Sequence, residues 1–299
     1  MDITSEDFVF PYLHLYYRES EIVETFVLLK NFRHAKVKKS IFHLNLDFET
    51  TKKFLILSDY FTNDVRMNAR FLTNPSPVEN FSKDREKIIE KLGNKPEYKD
   101  LDFYIWKNYP CCSTFPVVVA REIFRYFKPK KILDPSAGWG DRMIAAASCD
   151  IEYTGVDPNM LLIPGYEKIK KVFKLEKEKY KLVSCPFEDF NTKEKFNLIF
   201  TSPPFYDMEI YTDEETQSCF KFKSYDEWRE KFFRQMILKS IEFLTTGGHL
   251  LVYVNNTKKY KLLDDLKTAT KDIKSIKFKG FITWINGKYP KKISVYTKN

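Results

Sequence analysis

Long apolar runs are missing from this 299-residue chain. A membrane-spanning helix needs about 18 consecutive apolar residues. The longest stretches here, such as Phe115–Ala120 and Leu250–Val254, are strand-sized. Cysteine pairs are missing too. Five cysteines (111, 112, 149, 185 and 219) form no C-x-x-C spacing, which argues against a disulfide scaffold or a thiolate metal site and for a reducing compartment. The four histidines (14, 34, 43 and 249) do not cluster. No basic region leads into an apolar stretch at the N-terminus, so the expectation is an intracellular protein, cytoplasmic or wherever its substrate lies, and not a secreted one. With 43% hydrophobic and 30% charged residues, a disordered chain is excluded.

Acidic residues are scarce at one end. Residues 1–110 hold 17 basic and 17 acidic side chains, whereas residues 258–299 hold 12 lysines and 3 aspartates, so the net charge of +9 resides in that last segment. A concentrated basic segment fits a polyanion partner or a solvated basic surface.

Sequence character changes near residue 110. Before it, Glu21–Phe32 and Arg85–Leu92 predict helices, Ile41–Phe48 alternates like a strand, and Asn74–Pro77 reads as a loop. After it, strand-sized runs alternate with helical stripes. The strands are expected at Lys131–Asp134, Tyr153–Asp157, Lys181–Cys185, Phe196–Phe200 and His249–Val254; the helices at Asp141–Ser148, Tyr166–Phe173, Asp226–Leu244 and Tyr260–Ala269. Ile276–Ile285 and Lys292–Thr297 add two strands around Asn286-Gly287, with a connection longer than a two-residue hairpin. Such alternation predicts an α/β fold with a mostly parallel sheet and a terminal antiparallel hairpin, whose ligands bind at the carboxyl ends of the strands.

Three elements fall at those ends. Asp134-Pro135-Ser136-Ala137-Gly138-Trp139-Gly140 closes the first strand and opens a helix. Asp157 ends the second strand, 19 residues after Gly138, near the offset at which a carboxylate reaches ribose hydroxyls. Met143 stands where a dinucleotide fingerprint has its third glycine, and Asp134 is expected near the ligand, where it disfavours a pyrophosphate and suits a cation. Ser202-Pro203-Pro204-Phe205 follows the fourth strand, with Ser202 64 residues after Gly138. Consecutive prolines there make a rigid strand exit.

Together these residues resemble the class I S-adenosylmethionine-dependent methyltransferases of the amino-methyltransferase type, over residues 111–299. The resemblance implies a Rossmann-like seven-stranded methyltransferase sheet preceded by an N-terminal α+β extension, residues 1–110, with a possible part in substrate recognition. S-adenosyl-L-methionine is the implied cofactor. Asp134, Pro135, Ala137, Gly138 and Gly140 match the loop that cradles its methionyl part, Asp157 matches the ribose acid, and Asp189, with Glu188 as near-equivalent, matches the acid at the adenine amino group. The tetrapeptide Ser202, Pro203, Pro204, Phe205 is similar to the [D/N/S]-P-P-[Y/F] motif. In this role Ser202 Oγ and the Pro203 carbonyl accept hydrogen bonds from a poorly nucleophilic exocyclic amine and Phe205 stacks on an extruded base. Ser113–Pro116 and the helix after it are similar to the segment that packs on the methionyl end.

Serine in first position implies DNA cytosine N4 ahead of adenine N6 as target, with the lysines of 258–299 as the phosphate-contacting face. Two alternatives stay open: an RNA or protein side-chain amide methyltransferase, and a catalytically inactive nucleic-acid-binding scaffold. The acidic stretch Tyr206–Tyr225 is awkward beside phosphates and reads as a lid or a solvated loop. No separate target-recognition domain is evident.

Overall fold

The computed structural model describes residues 9–32, 43–44, 48–93, 96–286 and 289–299. In chain order, the N-terminal part supplies α1 (Glu19–Asn31), β1 (His43–Leu44), α2 (Phe48–Asn68), β2 (Arg70–Phe71), α3 (Pro77–Lys83), α4 (Arg85–Leu92) and α5 (Tyr98–Asn108). It continues with α6 (Val117–Phe127), β3 (Lys131–Asp134), α7 (Asp141–Ser148), β4 (Glu152–Val156), α8 (Ile163–Val172), β5 (Tyr180–Val183), β6 (Phe196–Thr201) and β7 (Glu209–Ile210). The last elements are α9 (Ser218–Lys221), α10 (Tyr225–Trp228), a π-helical turn (Arg229–Phe233), α11 (Arg234–Phe243), β8 (Leu244–Val252), α12 (Leu262–Thr270), β9 (Ile276–Asn286) and β10 (Tyr289–Lys298).

One sheet organises the molecule, in the order β1-β9-β10-β8-β6-β3-β4-β5. The pairs β3–β4, β4–β5, β3–β6 and β6–β8 are parallel, and β10 is antiparallel to both β8 and β9. This is the expected seven-stranded, Rossmann-like sheet with its terminal hairpin, extended at one edge by the short parallel strand β1. Of the alternating stretch Ile41–Phe48, only His43–Leu44 is described as strand; Phe48 begins α2, and the other residues lie outside the described ones. Tyr289 pairs with Asn286, so two residues join β9 to β10, not the longer connection expected. Pro290 is tolerated inside β10 near its start, where one ladder bond fewer costs little.

Central strands β3, β6 and β8 carry Leu133, Leu198, Ile199, Phe200, Leu250, Leu251 and Val252, all fully buried, as a sheet covered on both faces requires. One apolar cluster joins the helices α1 and α2, through Ile22, Phe26, Leu29, Phe54, Leu57 and Phe61, to Ile144 of α7 and Ile169 of α8. A second lies under α10–α12 around Trp228, Phe233 and Ile237. Among the described residues no helix is long and apolar enough to cross a membrane.

Candidate active site

A cavity of about 430 Å³ opens at the carboxyl ends of β3, β4, β6 and β8. Pro135, Gly138, Asp157, Ser202, Pro203, Pro204 and Phe205 all line it, so three motifs separated in sequence share one space.

The glycine loop is built from below. Gly138 has φ +56 and Gly140 φ +91, conformations costly for any residue with a Cβ. A Cβ on Gly140 would lie 2.9 Å from Ile169 Cδ1, so this glycine lets α7 start close against α8; it does not line the cavity. At Gly138 the added carbon would meet only the Ser136 carbonyl, at 3.9 Å, leaving the cavity side open. Ala137 is buried beneath the loop, where its N–H donates to the Val156 carbonyl at 3.0 Å. Tyr166 Oη lies 3.1 Å from the carbonyls of both Ala137 and Gly138 and fixes the loop from α8.

Asp134 does not do what its position in sequence suggested. Its carboxylate is fully buried and accepts from Arg142 Nε at 2.6 Å, from Tyr153 Oη at 2.7 Å and from the Ser136 N–H at 3.3 Å. It faces no ligand space, because the charge of Arg142 and a phenol already saturate it. The cationic preference expected of the cavity comes from elsewhere: Asp141, Asp157, Glu188 and Glu209 line it, against Arg142 and Lys291. Since Arg142 is spent on Asp134, the cavity carries an excess of negative charge.

Asp157 is poised at the end of β4. Oδ2 accepts from the Gly138 N–H at 2.9 Å and Oδ1 from the Asn159 N–H at 3.0 Å, which leaves lone pairs for vicinal hydroxyls. Burial pushes its pKa up to about 6, opposed by those two N–H donors. Asp141, at the first turn of α7, is likewise pushed up to about 6 by burial, opposed by the Ser58 hydroxyl.

After β5 the expected role moves by one residue. Asp189 is exposed, 3.8 Å from Lys221 Nζ, and does not line the cavity. Glu188 does, because the turn at Cys185–Asp189 directs that residue inward; Oε1 takes Lys221 Nζ at 2.8 Å and Oε2 is buried with no hydrogen-bond partner. A buried, unpaired carboxylate oxygen is costly unless a ligand donor meets it.

On the other wall, the Ser202 hydroxyl has no hydrogen-bond partner among the described residues, and the Phe205 ring sits 6.5 Å from that of Tyr253. Tyr253 is held by its N–H to the Thr201 carbonyl at 3.0 Å, with Asn255, Asn256 and Thr257 following it along the rim. Reading each strand end for polar residues would have found these asparagines after β8.

The acidic insert is no solvated loop. Glu209–Ile210 pairs with Arg70–Phe71, the Leu72 N–H reaches the Met208 carbonyl at 2.7 Å, and Arg70 pairs with Asp213. Glu209 accepts from the Ser113 N–H at 2.9 Å and from Tyr211 Oη at 2.6 Å, and burial raises its pKa. Trp139 Nε1 donates to the Ser113 carbonyl at 3.0 Å. The insert and strand β2 thus roof the cavity, contributing Phe71, Met208 and Tyr211 to its lining. No local motif announces this roof, since it is made by pairing residues about 140 positions apart.

No family model matches the chain, and no curated protein does. Among solved structures, TrmN from Thermus thermophilus is similar at 14% identity and a TM-score of 0.46, over 62% of this chain and half of that one. An rRNA methylase from Streptococcus thermophilus is similar at 11% identity and 0.43, over 62% of this chain and 98% of that one. Magnesium protoporphyrin IX methyltransferase (ChlM) from Synechocystis PCC 6803, solved with bound SAM, is similar at 9% identity and 0.44, over 72% of this chain and 97% of that one.

Proposed function

We propose that the chain is an S-adenosylmethionine-dependent methyltransferase acting on the exocyclic amine of a nucleic-acid base, DNA cytosine N4 ahead of adenine N6. The observation that carries this reading is the convergence of Gly138, Asp157 and Ser202 on one acid-rich cavity.

The residues fit the cofactor. The open side of Gly138 admits a close-lying chain, the excess of carboxylates suits an ammonium and a sulfonium, Asp157 has acceptors for two ribose hydroxyls, and the orphaned Glu188 oxygen suits an adenine amino group. S-adenosylmethionine, when bound, supplies an electrophilic methyl group. The chain's own work is to orient the acceptor. The free Ser202 hydroxyl and the Pro203 carbonyl accept hydrogen bonds from the two amine N–H groups, which turns the nitrogen lone pair out of the ring and toward the methyl group. Phe205 and Tyr253 offer ring faces to an extruded base.

Lysines at the mouth supply the polyanion contact. β10 runs antiparallel to β8, and Ser294 pairs with Val252, so Lys291 and Lys292 stand beyond the carboxyl end of β8, with Lys258 and Lys261 after Thr257 nearby in the chain. Lys277 and Lys279 are carried to the opposite end of the sheet, where Lys277 pairs with Thr297 and Thr297 with His249. Only part of the basic segment therefore serves the site.

A second reading, an RNA base or a protein side-chain amide as acceptor, is favoured by the roof over the cavity and by the acidic residues Asp213 and Glu215 exposed beside it. Incubation with methyl-labelled S-adenosylmethionine, followed by separation of DNA, RNA and protein and identification of the labelled nucleoside or residue, decides between the two.

A further inference from the structure

The N-terminal part contributes more than a roof. Helix α2 is the longest helix described and was not expected from sequence, because its buried face is interrupted by Ser58, Asp59, Thr62, Asn63 and Arg66. Two of these polar residues reach the glycine loop and the helix turn that follows it. Ser58 Oγ donates to Asp141 Oδ1, on the first turn of α7, and both residues are fully buried. One turn later, Thr62 Oγ1 lies 3.0 Å from the Trp139 carbonyl, inside the loop between its two glycines, and 3.1 Å from the Ser58 carbonyl. At the same level α2 touches α8 through backbone: a Cβ on Gly165 would lie 2.7 Å from the Phe61 carbonyl oxygen. Arg66, one turn further on, is fully buried, pairs with Asp59 at 2.7 Å and donates to the Cys112 carbonyl at 3.1 Å, just before cavity residue Ser113.

These contacts have a direction. Asp141 and Trp139 both line the cavity, whereas Ser58 and Thr62 do not. A loop with two left-handed glycines has more freedom than an ordinary strand-to-helix turn, and its shape must be fixed from outside. The Tyr166 hydroxyl fixes it from α8, and Ser58 and Thr62 fix it from α2.

We propose that Ser58 and Thr62 are positioning residues for the methyl-donor site: through Asp141 and the Trp139 carbonyl they hold residues 138–142 in the ligand-ready shape, which makes α2 an integral part of that site. This rests on reading the cavity as an S-adenosylmethionine site. The residues act through the loop and touch no ligand, so their loss falls on donor affinity and spares turnover once the donor is bound.

The test uses the full chain, titrated calorimetrically with S-adenosylmethionine and with its demethylated product, S-adenosylhomocysteine, with thermal melts of each ligand-free variant alongside. S58A and T62V each weaken donor binding about tenfold, the scale of one buried hydrogen bond, while kcat at saturating donor holds. T62S keeps the hydroxyl and stays within about twofold of the unaltered chain. S58A/D141A binds no more weakly than D141A alone, because each change removes the same Ser58–Asp141 contact. Should S58A fail to fold, the isosteric T62V and T62S pair decides. Unaltered affinity in T62V and S58A, equal losses in T62V and T62S, or additive losses in S58A/D141A overturn the proposal alone. Absence of binding of either ligand by the unaltered chain overturns the donor-site reading and this proposal with it.

Discussion

Asp134 and Arg142 form a fully buried ion pair, Oδ2 to Nε at 2.6 Å, directly beneath the glycine loop. This pair explains how the acid that ends β3 can matter without touching a ligand. Arg142 projects from α7 back to the end of β3, its guanidinium lies 5.7 Å from the Phe115 ring centre, and it also donates to the Ser136 carbonyl. Strand, loop and helix are tied at one point.

Removing one member of such a pair leaves an unpaired charge in a dry interior, at a cost of about 3–5 kcal/mol. Asp134→Ala is therefore expected to lower stability in a urea unfolding series by that amount. If Asp134 instead served the ligand, the change would leave unfolding nearly unaltered and act on ligand affinity alone.

Glu188 and Asp189 are neighbours with opposite surroundings. Glu188→Gln replaces the orphaned buried oxygen and is expected to weaken S-adenosylmethionine binding about tenfold, whereas Asp189→Asn leaves it unchanged. Calorimetric titration of both variants checks the assignment, and the reverse order of effects would restore Asp189 to the role the motif implied.

Acidity near 6 at Asp157 and Asp141 gives the cavity a pH dependence. A cationic ligand binds the ionised form, so affinity for S-adenosylmethionine rises between about pH 5 and 7 and then levels. The ligand-free fold behaves in the opposite sense. Because burial raises both pKa values, these two carboxyls hold extra protons when folded; their contribution to stability is fullest below the ordinary carboxylate range and is lost as pH rises through about 6. Titrations across that range, paired with unfolding curves, read both slopes, and a flat binding profile would refute the electrostatic account of the cavity.

At the mouth, charge reversal of Lys291 and Lys292 together is expected to flatten the salt dependence of nucleic-acid binding, by about one to two in the logarithmic slope. The same reversal at Lys277 and Lys279 serves as control, because the register of β9 and β10 carries that pair to the far end of the sheet. Equal effects at both pairs would indicate diffuse attraction with no phosphate contact at the site.

The parallel part of the sheet is legible in the sequence because β3, β4, β6 and β8 repeat one pattern, a short apolar run followed by a polar turn at the carboxyl end. For the same reason Gly138, Asp157 and Ser202 can be grouped at one end of the sheet from their positions in the chain alone. Geometry set by tertiary partners is not legible in that way. The inward turn of Asp134 depends on Arg142 and Tyr153, and the choice of Glu188 over Asp189 depends on a single residue of turn phase. Helix α2 is masked because its buried polar residues, which serve contacts with the loop, break the apolar stripe that announces a helix. The roof is hidden because β2 and β7 are two residues each and recognise one another only across the folded chain.

The most direct measurement is transfer itself, comparing the unaltered chain with Ser202→Ala after incubation with methyl-labelled S-adenosylmethionine and mixed nucleic acid. The account predicts label on an exocyclic base nitrogen, with kcat lowered about a hundredfold in the variant while donor affinity holds, as expected for a group that acts on the acceptor. Label absent from every nucleic-acid base, or a Ser202→Ala chain that transfers as fast as the unaltered one, would contradict it.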